Sequence, residues 1–335
     1  MQARFPILLG LSLLALAAVM LAGVLWGTAS LTWGQRAAIL TGSGEAPRGL
    51  SLIVWEWRIP RVLAMALIGA GLSLAGALMQ TALRNPMADP YLMGLSSGAS
   101  AAAVGAIIWL PASVTAVLGV PLMAFLGAGA AFAMTLGLSV RRGEALDPLV
   151  VVLSGVAISL MFQSLTAFFL YVGDPHATRS ALGWLMGTGA GTEWQEVPML
   201  AIGLLAAAAA AFVKAGDLDA TLLGDERAEA LGVDTGRLRL LIFFGTVILT
   251  GLAVSVAGIV GFIGLIVPHM ARLLTGARHQ RLLPLSMVLG AAILTAADLL
   301  CRILLAPEEL PLGVLLALFA APPFISILRG VRRAA

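Results

Sequence analysis

Long stretches almost free of charged residues recur along the whole chain, and nothing else in the sequence restricts its fold as much. A bilayer hydrocarbon core about 30 Å thick is crossed by about 20 apolar helical residues. Stretches of that kind lie at 6–28, 61–83, 92–110, 114–139, 148–172, 193–214, 282–304 and 311–328. Charged residues make up 11% of the 335, less than half the share in an ordinary soluble domain. Lipid offers no partner to backbone N–H and C=O groups, so spans of this length must be helices. The sequence therefore predicts an all-α membrane protein forming one transmembrane domain over 1–335. The apolar stretch 5–26 is too long for the core of a signal peptide and further spans follow it, so it reads as the first span.

The stretch 240–271 is uncharged for 32 residues, too long for one upright helix and short for two, with a glycine-rich middle, VAGIVGFIG. Basic residues decide between the two readings, because cytoplasmic loops carry the excess of Arg and Lys. Split in two, the stretch gives ten spans, with 14 of the 20 basic residues on the inner side, among them Arg141, Arg142, Arg329, Arg332 and Arg333. Left whole, it places only nine inside. Ten transmembrane helices with both termini cytoplasmic are thus expected. Segments 28–57 and 173–192 then lie outside, and 215–236 is the longest inner loop. A basic residue, a small-residue-rich helix and a proline recur at 61–86 and 239–268, a weak hint of an inverted repeat.

A Walker A loop ends in Gly-Lys-Ser/Thr, and the sole lysine, Lys214, precedes Ala215. No enzymatic activity and no cofactor are expected of this chain; ATP and Mg would be bound by a separate partner. No metal site is expected either. Cys301 is the only cysteine, His176 has no adjacent ligand type, and His269 follows Pro268 at a helix break where packing is the simpler role. Within the inner loop, Asp225 to Leu231 reads as two helical turns, with Asp225 as N-cap, Ala228 and Leu231 on one side and Gly232 as the stop. A short amphipathic helix between spans suits docking on a soluble protein; an ordinary solvated loop is the alternative. Outside, Arg58 and Arg61 flank Pro60 at the expected start of the second span, where a cation opposes the helix dipole. They read as a docking point for acidic residues of a partner, or as side chains snorkelling to lipid phosphate. Arg302 lies one helical turn after Asp298, which suits an ion pair within the helix.

Four stretches resemble the FecCD family of permeases, the type II ABC importer subunits that include cobalamin and iron-siderophore or haem permeases: RIPRVLAMALIGAGLSLAGALMQTALRNPMADPYLMGLSSGAS, LLGDERAEALGV, GFIGLIVPHMARLL with LLPLS after it, and AADLLCRILLAPEELPLGVLLALFAAPPFISIL. The resemblance implies a type II importer permease fold with ten spans in the bacterial inner membrane. It implies a homodimer with the path on its axis, two ABC ATPase subunits beneath and a periplasmic substrate-binding protein above, and no nucleic-acid partner. Arg58, Arg61 and Arg302 take the positions of arginines that pair with glutamates of the binding protein. Leu222, Asp225, Glu226, Arg227, Ala228, Leu231 and Gly232 fall where the family's coupling helices enter the ATPase cleft. The stretch about 176–190, with Trp184, matches a short external helix at the mouth of the path. The inner gate falls near Asp147, Pro148 and Leu149, where the cobalamin permease has small hydroxyl residues.

Ser154, Ser159, Gln163 and Thr166 give the fifth span a modestly polar stripe, read as path-lining or as helix–helix hydrogen bonding. Gly69, Gly71, Gly76, Gly94, Ser96, Ser97 and Gly98 are expected to allow close helix packing. Ala320, Ala321, Pro322, Pro323 and Phe324 stand where the family has Gly-Ala-Pro-Phe-Phe, so the last helix is expected to bend differently. The resemblance implies ATP-driven import of an iron complex, a ferric siderophore or haem, or of cobalamin by alternating access, with membrane lipid as surroundings. An ion-coupled secondary transporter and a non-transporting membrane scaffold are the alternatives.

Overall fold

Helix dominates because the sequence leaves lipid-facing backbone no other way to pair its polar groups. The computed structural model describes residues 4–29, 31–41, 48–140, 147–320 and 322. Arg141, Arg142, Arg329, Arg332, Arg333, Ala321, Pro323 and Phe324, and with them the expected bend of the last helix, lie outside the described residues. The helices are α1 (Phe5–Leu25), α2 (Trp33–Thr41), α3 (Arg48–Leu52), α4 (Ile59–Ala82), α5 (Leu95–Trp109), α6 (Ala112–Ser139), α7 (Pro148–Val172), α8 (Pro175–Leu185), α9 (Glu196–Val213), α10 (Ala215–Thr221), α11 (Asp225–Ala230), α12 (Thr235–Ala257), α13 (Ile263–Thr275) and α14 (His279–Ile303). Residues 312–320 are helical as well. Seven of these stretches are long and apolar enough to cross a membrane: α1, 49–82, 119–139, α7, α9, α12 and α14. At 1.5 Å per residue, the shorter apolar helices α5 and α13 reach about 22 and 20 Å, less than a full hydrocarbon core.

The ambiguous stretch at 240–271 is two helices, broken at Gly258 (φ +68°) and resumed after Phe262 (φ +69°). Irregular backbone at membrane depth has to find partners inside the protein, and it does. Thr188 N–H donates to the Ala257 carbonyl (2.9 Å), and the Tyr91 hydroxyl donates to that of Val260 (3.1 Å). The neighbouring Gly187 and Met186 carbonyls accept from the N–H groups of Leu312 and Gly313.

The second span begins earlier than the sequence suggested. Helix runs on from Arg48 through a π-helical stretch, Ile53–Arg58, into α4. Pro60 has no N–H to give, and a π-turn relaxes the hydrogen-bond ladder where a proline interrupts it; the Ile59 N–H reaches back to the Val54 carbonyl. Arg58 and Arg61 therefore do not stand at a helix N-terminus, and no dipole opposes them there.

Helix α4 is the axis of the fold, with every residue from Pro60 to Ala82 buried except Leu63 and Leu67, which are partly buried. It packs against α14, α12, α13 and α9, whereas α1 lies outermost against α14. Between helices in lipid the attraction is van der Waals contact, and small residues permit the closest approach. A Cβ on Gly76 would overlap the Gly264 carbonyl of α13, and one on Gly98 would overlap the Gly127 carbonyl of α6. At Gly71 a Cβ would meet Leu249 at an ordinary 3.5 Å, so that glycine is not required for contact.

Candidate functional site

At the end of the bundle that carries Arg84, Lys214, Arg239 and Arg272, the last turn of α4 is a hub. Asp225 of α11 accepts both Arg239 Nη2 contacts (2.8 and 2.7 Å) and Arg84 Nη2 (3.0 Å), while Arg239 Nε donates to the Ala82 carbonyl (3.3 Å). Asp219 of α10 takes His279 Nδ1 at 2.6 Å, and the same imidazole meets the Thr81 hydroxyl at 2.8 Å through Nε2. Gln80 donates to the Leu265 carbonyl and accepts from Arg272 Nη1, both at 3.0 Å. Gln80, Thr81, Ala82 and Arg84 thus tie α4 to α10, α11, α12, α13 and α14.

The loop 215–236 is two helices rather than one. Asp225 is the first residue of α11 and not its N-cap; Gly224, at φ +101°, holds that position, and the Asp225 carboxylate is engaged by the two arginines. Ala228 and Leu231 do not share a side, since Ala228 is fully buried and Leu231 is 67% exposed. Gly232 does stop the helix. At φ +86° it donates to the Glu229 carbonyl while Val233 donates to that of Ala228, the paired bonds of a Schellman end. Leu222, Leu223 and Leu231 project into solvent beside the exposed Glu226 and Arg227. Aliphatic side chains displayed on a polar loop that is anchored from beneath form a surface that a partner can cover.

Opposite lies a second charged cluster, turned inward. Arg61 grips Asp298 through Nε (2.9 Å) and Nη2 (2.8 Å), and Glu309 through Nη1 (3.0 Å) and Nη2 (2.8 Å). Arg302 Nε lies 3.1 Å from Asp298, the pairing within one helix that the sequence suggested, and its Nη1 donates to the Gly23 carbonyl (2.9 Å). Arg58 donates to the carbonyls of Val24, Leu25 and Ala29. The last carbonyls of a helix have no partner within it, so Arg58 and Arg302 together cap α1. Arg58, Arg61 and Arg302 are buried, at 5, 9 and 2% exposure, and Asp298 at 1%.

The expected path residues scatter. Thr166 is buried with its hydroxyl on the Phe162 carbonyl, Ser154 and Ser159 are partly buried, and Gln163 is exposed. Trp184 of α8 is partly buried beside the break in α12, where a Cβ on Gly258 would crowd its carbonyl. Asp147 caps α7 by accepting from the Leu149 N–H (2.8 Å), Pro148 begins that helix, and Leu149 is 63% exposed. Beside these, Gln80, Thr81, Asp219, Arg239, His279 and Glu309 emerged only with the fold. For Gln80, Thr81, Arg239 and His279 the one signal in the sequence is a polar side chain near the end of an apolar span; Asp219 and Glu309 lie between spans.

The loop 83–94 holds one more carboxylate. Burial pushes Asp89 up to about 6, against the pull of the Tyr91 N–H that it accepts (2.8 Å).

The chain is 39% identical over 292 residues to the Fe(3+)-citrate import system permease protein YfmE of Bacillus subtilis (strain 168), covering 87% of this chain and 86% of that one. It is 39% identical over 283 residues to the cobalamin import system permease protein BtuC of Halobacterium salinarum, covering 84% and 75%. Among solved structures, the inward-facing conformation of a putative metal-chelate type ABC transporter superposes with a TM-score of 0.84 at 28% identity, over 97% of this chain and 99% of that one. The model of the FecCD transport family matches residues 14–330, and this chain belongs to that family.

Proposed function

We propose that the chain is the membrane-spanning subunit of an ATP-driven, binding-protein-dependent importer in the inner membrane. It works as a homodimer of ten-span subunits with cytoplasmic termini, and it moves an iron complex, either a ferric siderophore or haem, or cobalamin by alternating access. The observation that carries this reading is the anchoring of α10 and α11. Their outward side offers Leu222, Leu223 and Leu231, while Asp225 and Asp219 bind their inward side to the ends of α4, α12 and α14. A push delivered to that loop by a nucleotide-hydrolysing partner reaches three core helices through charge-assisted hydrogen bonds, which are stronger than neutral ones.

An ion-coupled carrier has less support, because Asp298 is held by Arg61 and Arg302 rather than free to take up a cation. On the outer face, a partner carboxylate reaches Arg61 by taking the place of Glu309, whose side chain is 27% exposed. Docking is then an exchange of one carboxylate for another. The names of the relatives support an iron chelate or a corrinoid as cargo.

The test is copurification of the chain with its cognate ATPase. Leu223→Asp and Leu231→Asp should abolish association while leaving the thermal midpoint unchanged, because both side chains already face water. Undiminished association in both variants would refute the loop as the docking surface.

A further inference from the structure

Between α9 and α12, with α4 as its floor, runs an apolar cavity of about 410 Å³ that none of the interactions above uses. Its walls include Leu78, Ile202, Ala206, Phe244 and Ile248, and Lys214 is the only charged residue lining it. Lys214 is also the only lysine of the chain. The cavity extends along α9 from Ile202 to Lys214, twelve residues or about 18 Å at 1.5 Å per residue. Half of a hydrocarbon core is about 15 Å. The groove is therefore as deep as one leaflet, too short to seat a helix that crosses the membrane and of a length to seat an acyl chain.

We infer that this groove is a binding site for an acidic phospholipid of the leaflet at the basic end of the bundle. One acyl chain lies between α9 and α12, and the phosphate sits at Lys214. Lipid is the occupant because the lining is apolar to leaflet depth and then ends in a cation at the level where headgroups lie. Asp217 already faces Lys214 Nζ at 2.9 Å, with both side chains well exposed, at 38 and 47%. Exposed pairs of this kind are weak, so a phosphate can share or replace that partner. The volume falls within the range of small-ligand cavities. Bound there, the lipid touches Leu218 of α10 and Leu238 of α12, so the composition of the leaflet bears on the same helices that anchor the loop.

Native mass spectrometry of the detergent-purified full chain tests this directly, with phosphatidylglycerol and phosphatidylcholine of identical acyl chains as probes. The wild type should retain one phosphatidylglycerol per chain, in preference to phosphatidylcholine by about tenfold. Lys214→Gln should erase the preference and Lys214→Arg should keep it. Gly245→Phe should block both lipids, since a Cβ at Gly245 has no atom within 4 Å and the ring enters the groove without disturbing the protein. Glycerol phosphate in excess should not displace the lipid, because the headgroup alone lacks the chain. Equal retention of both lipids by the wild type, or unchanged retention by Gly245→Phe, would overturn the site. A Gly245→Phe effect confined to the dimer fraction would overturn it as well, by assigning the groove to a second copy.

Discussion

The two ends of the bundle solve the same problem, charge at the edge of an apolar fold, in opposite ways. At one end Arg58, Arg61 and Arg302 are withdrawn from solvent and matched to Asp298, Glu309 and the last carbonyls of α1. At the other, Asp225 stays 28% exposed between Arg84 and Arg239, on a loop whose leucines face water. A buried charge without its partner costs several kcal/mol; Arg239 is itself buried, at 7% exposure, but it also holds the Ala82 carbonyl, and Asp225 and Arg84 stay open to water. The first cluster therefore fixes the positions of α1, α4 and α14, while the second can be remade as the loop moves. Rigidity is concentrated where the carboxylate Asp298 is buried with its arginines, and the capacity to respond lies where Asp225 stays partly open.

Substitutions at each end should separate these roles. Asp298→Asn leaves Arg61 and Arg302 facing a neutral group inside the protein and should destabilise it by about 3–5 kcal/mol, seen as a large loss of the folded fraction in denaturant titration. A cost equal to that of Asp225→Asn would erase the distinction between the ends. Gly98→Leu drives a side chain into the α5–α6 contact and should cost about 3 kcal/mol, read as lowered thermal midpoint and yield. Because it lies between the ends, it should leave the difference between the Asp298 and Asp225 variants unchanged. Asp225→Asn leaves the buried Arg239 its bond to the Ala82 carbonyl and should cost less, about 2 kcal/mol, yet it should reduce substrate-stimulated ATP hydrolysis in the assembled complex far more than that cost implies.

Asp89 gives an effect of another kind, visible as a pH dependence. Its folded value, about 6, lies above the ordinary 3.8. The folded chain thus holds this proton more tightly than the unfolded one. The contribution of Asp89 to stability is greatest below about pH 4 and is lost as pH rises through about 6. The difference in thermal midpoint between wild type and Asp89→Asn should change across that window and stay level above it.

Much of the fold was legible because hydropathy has to match bilayer thickness. The span read as 148–172 is helix over Pro148–Val172, and the split of 240–271 followed from the sidedness of arginine. What hydropathy could not reveal was continuity across a proline. The π-turn at Ile53–Arg58 carries helix past Pro60, and this removed the helix-end argument for Arg58 and Arg61. The loop 215–236 holds α10 and α11 between α9 and α12, but its geometry had been read from local rules. Asp225 looked like an N-cap by its position in the sequence, while its carboxylate is claimed by Arg239, 14 residues on, and by Arg84, 141 residues back. The His279–Asp219 and Arg61–Glu309 pairs join residues 60 and 248 apart and carry no period that a single sequence displays.

Transport in sealed vesicles decides where the work enters. The purified chain would be incorporated with and without its ATPase partner, and a ferric siderophore or cobalamin offered with its binding protein. We expect accumulation against a gradient only when the partner is present and hydrolysing ATP, and none when Leu231→Asp replaces the wild type. Uphill accumulation by the chain alone would show that the anchored loop is not the point at which energy reaches the bundle.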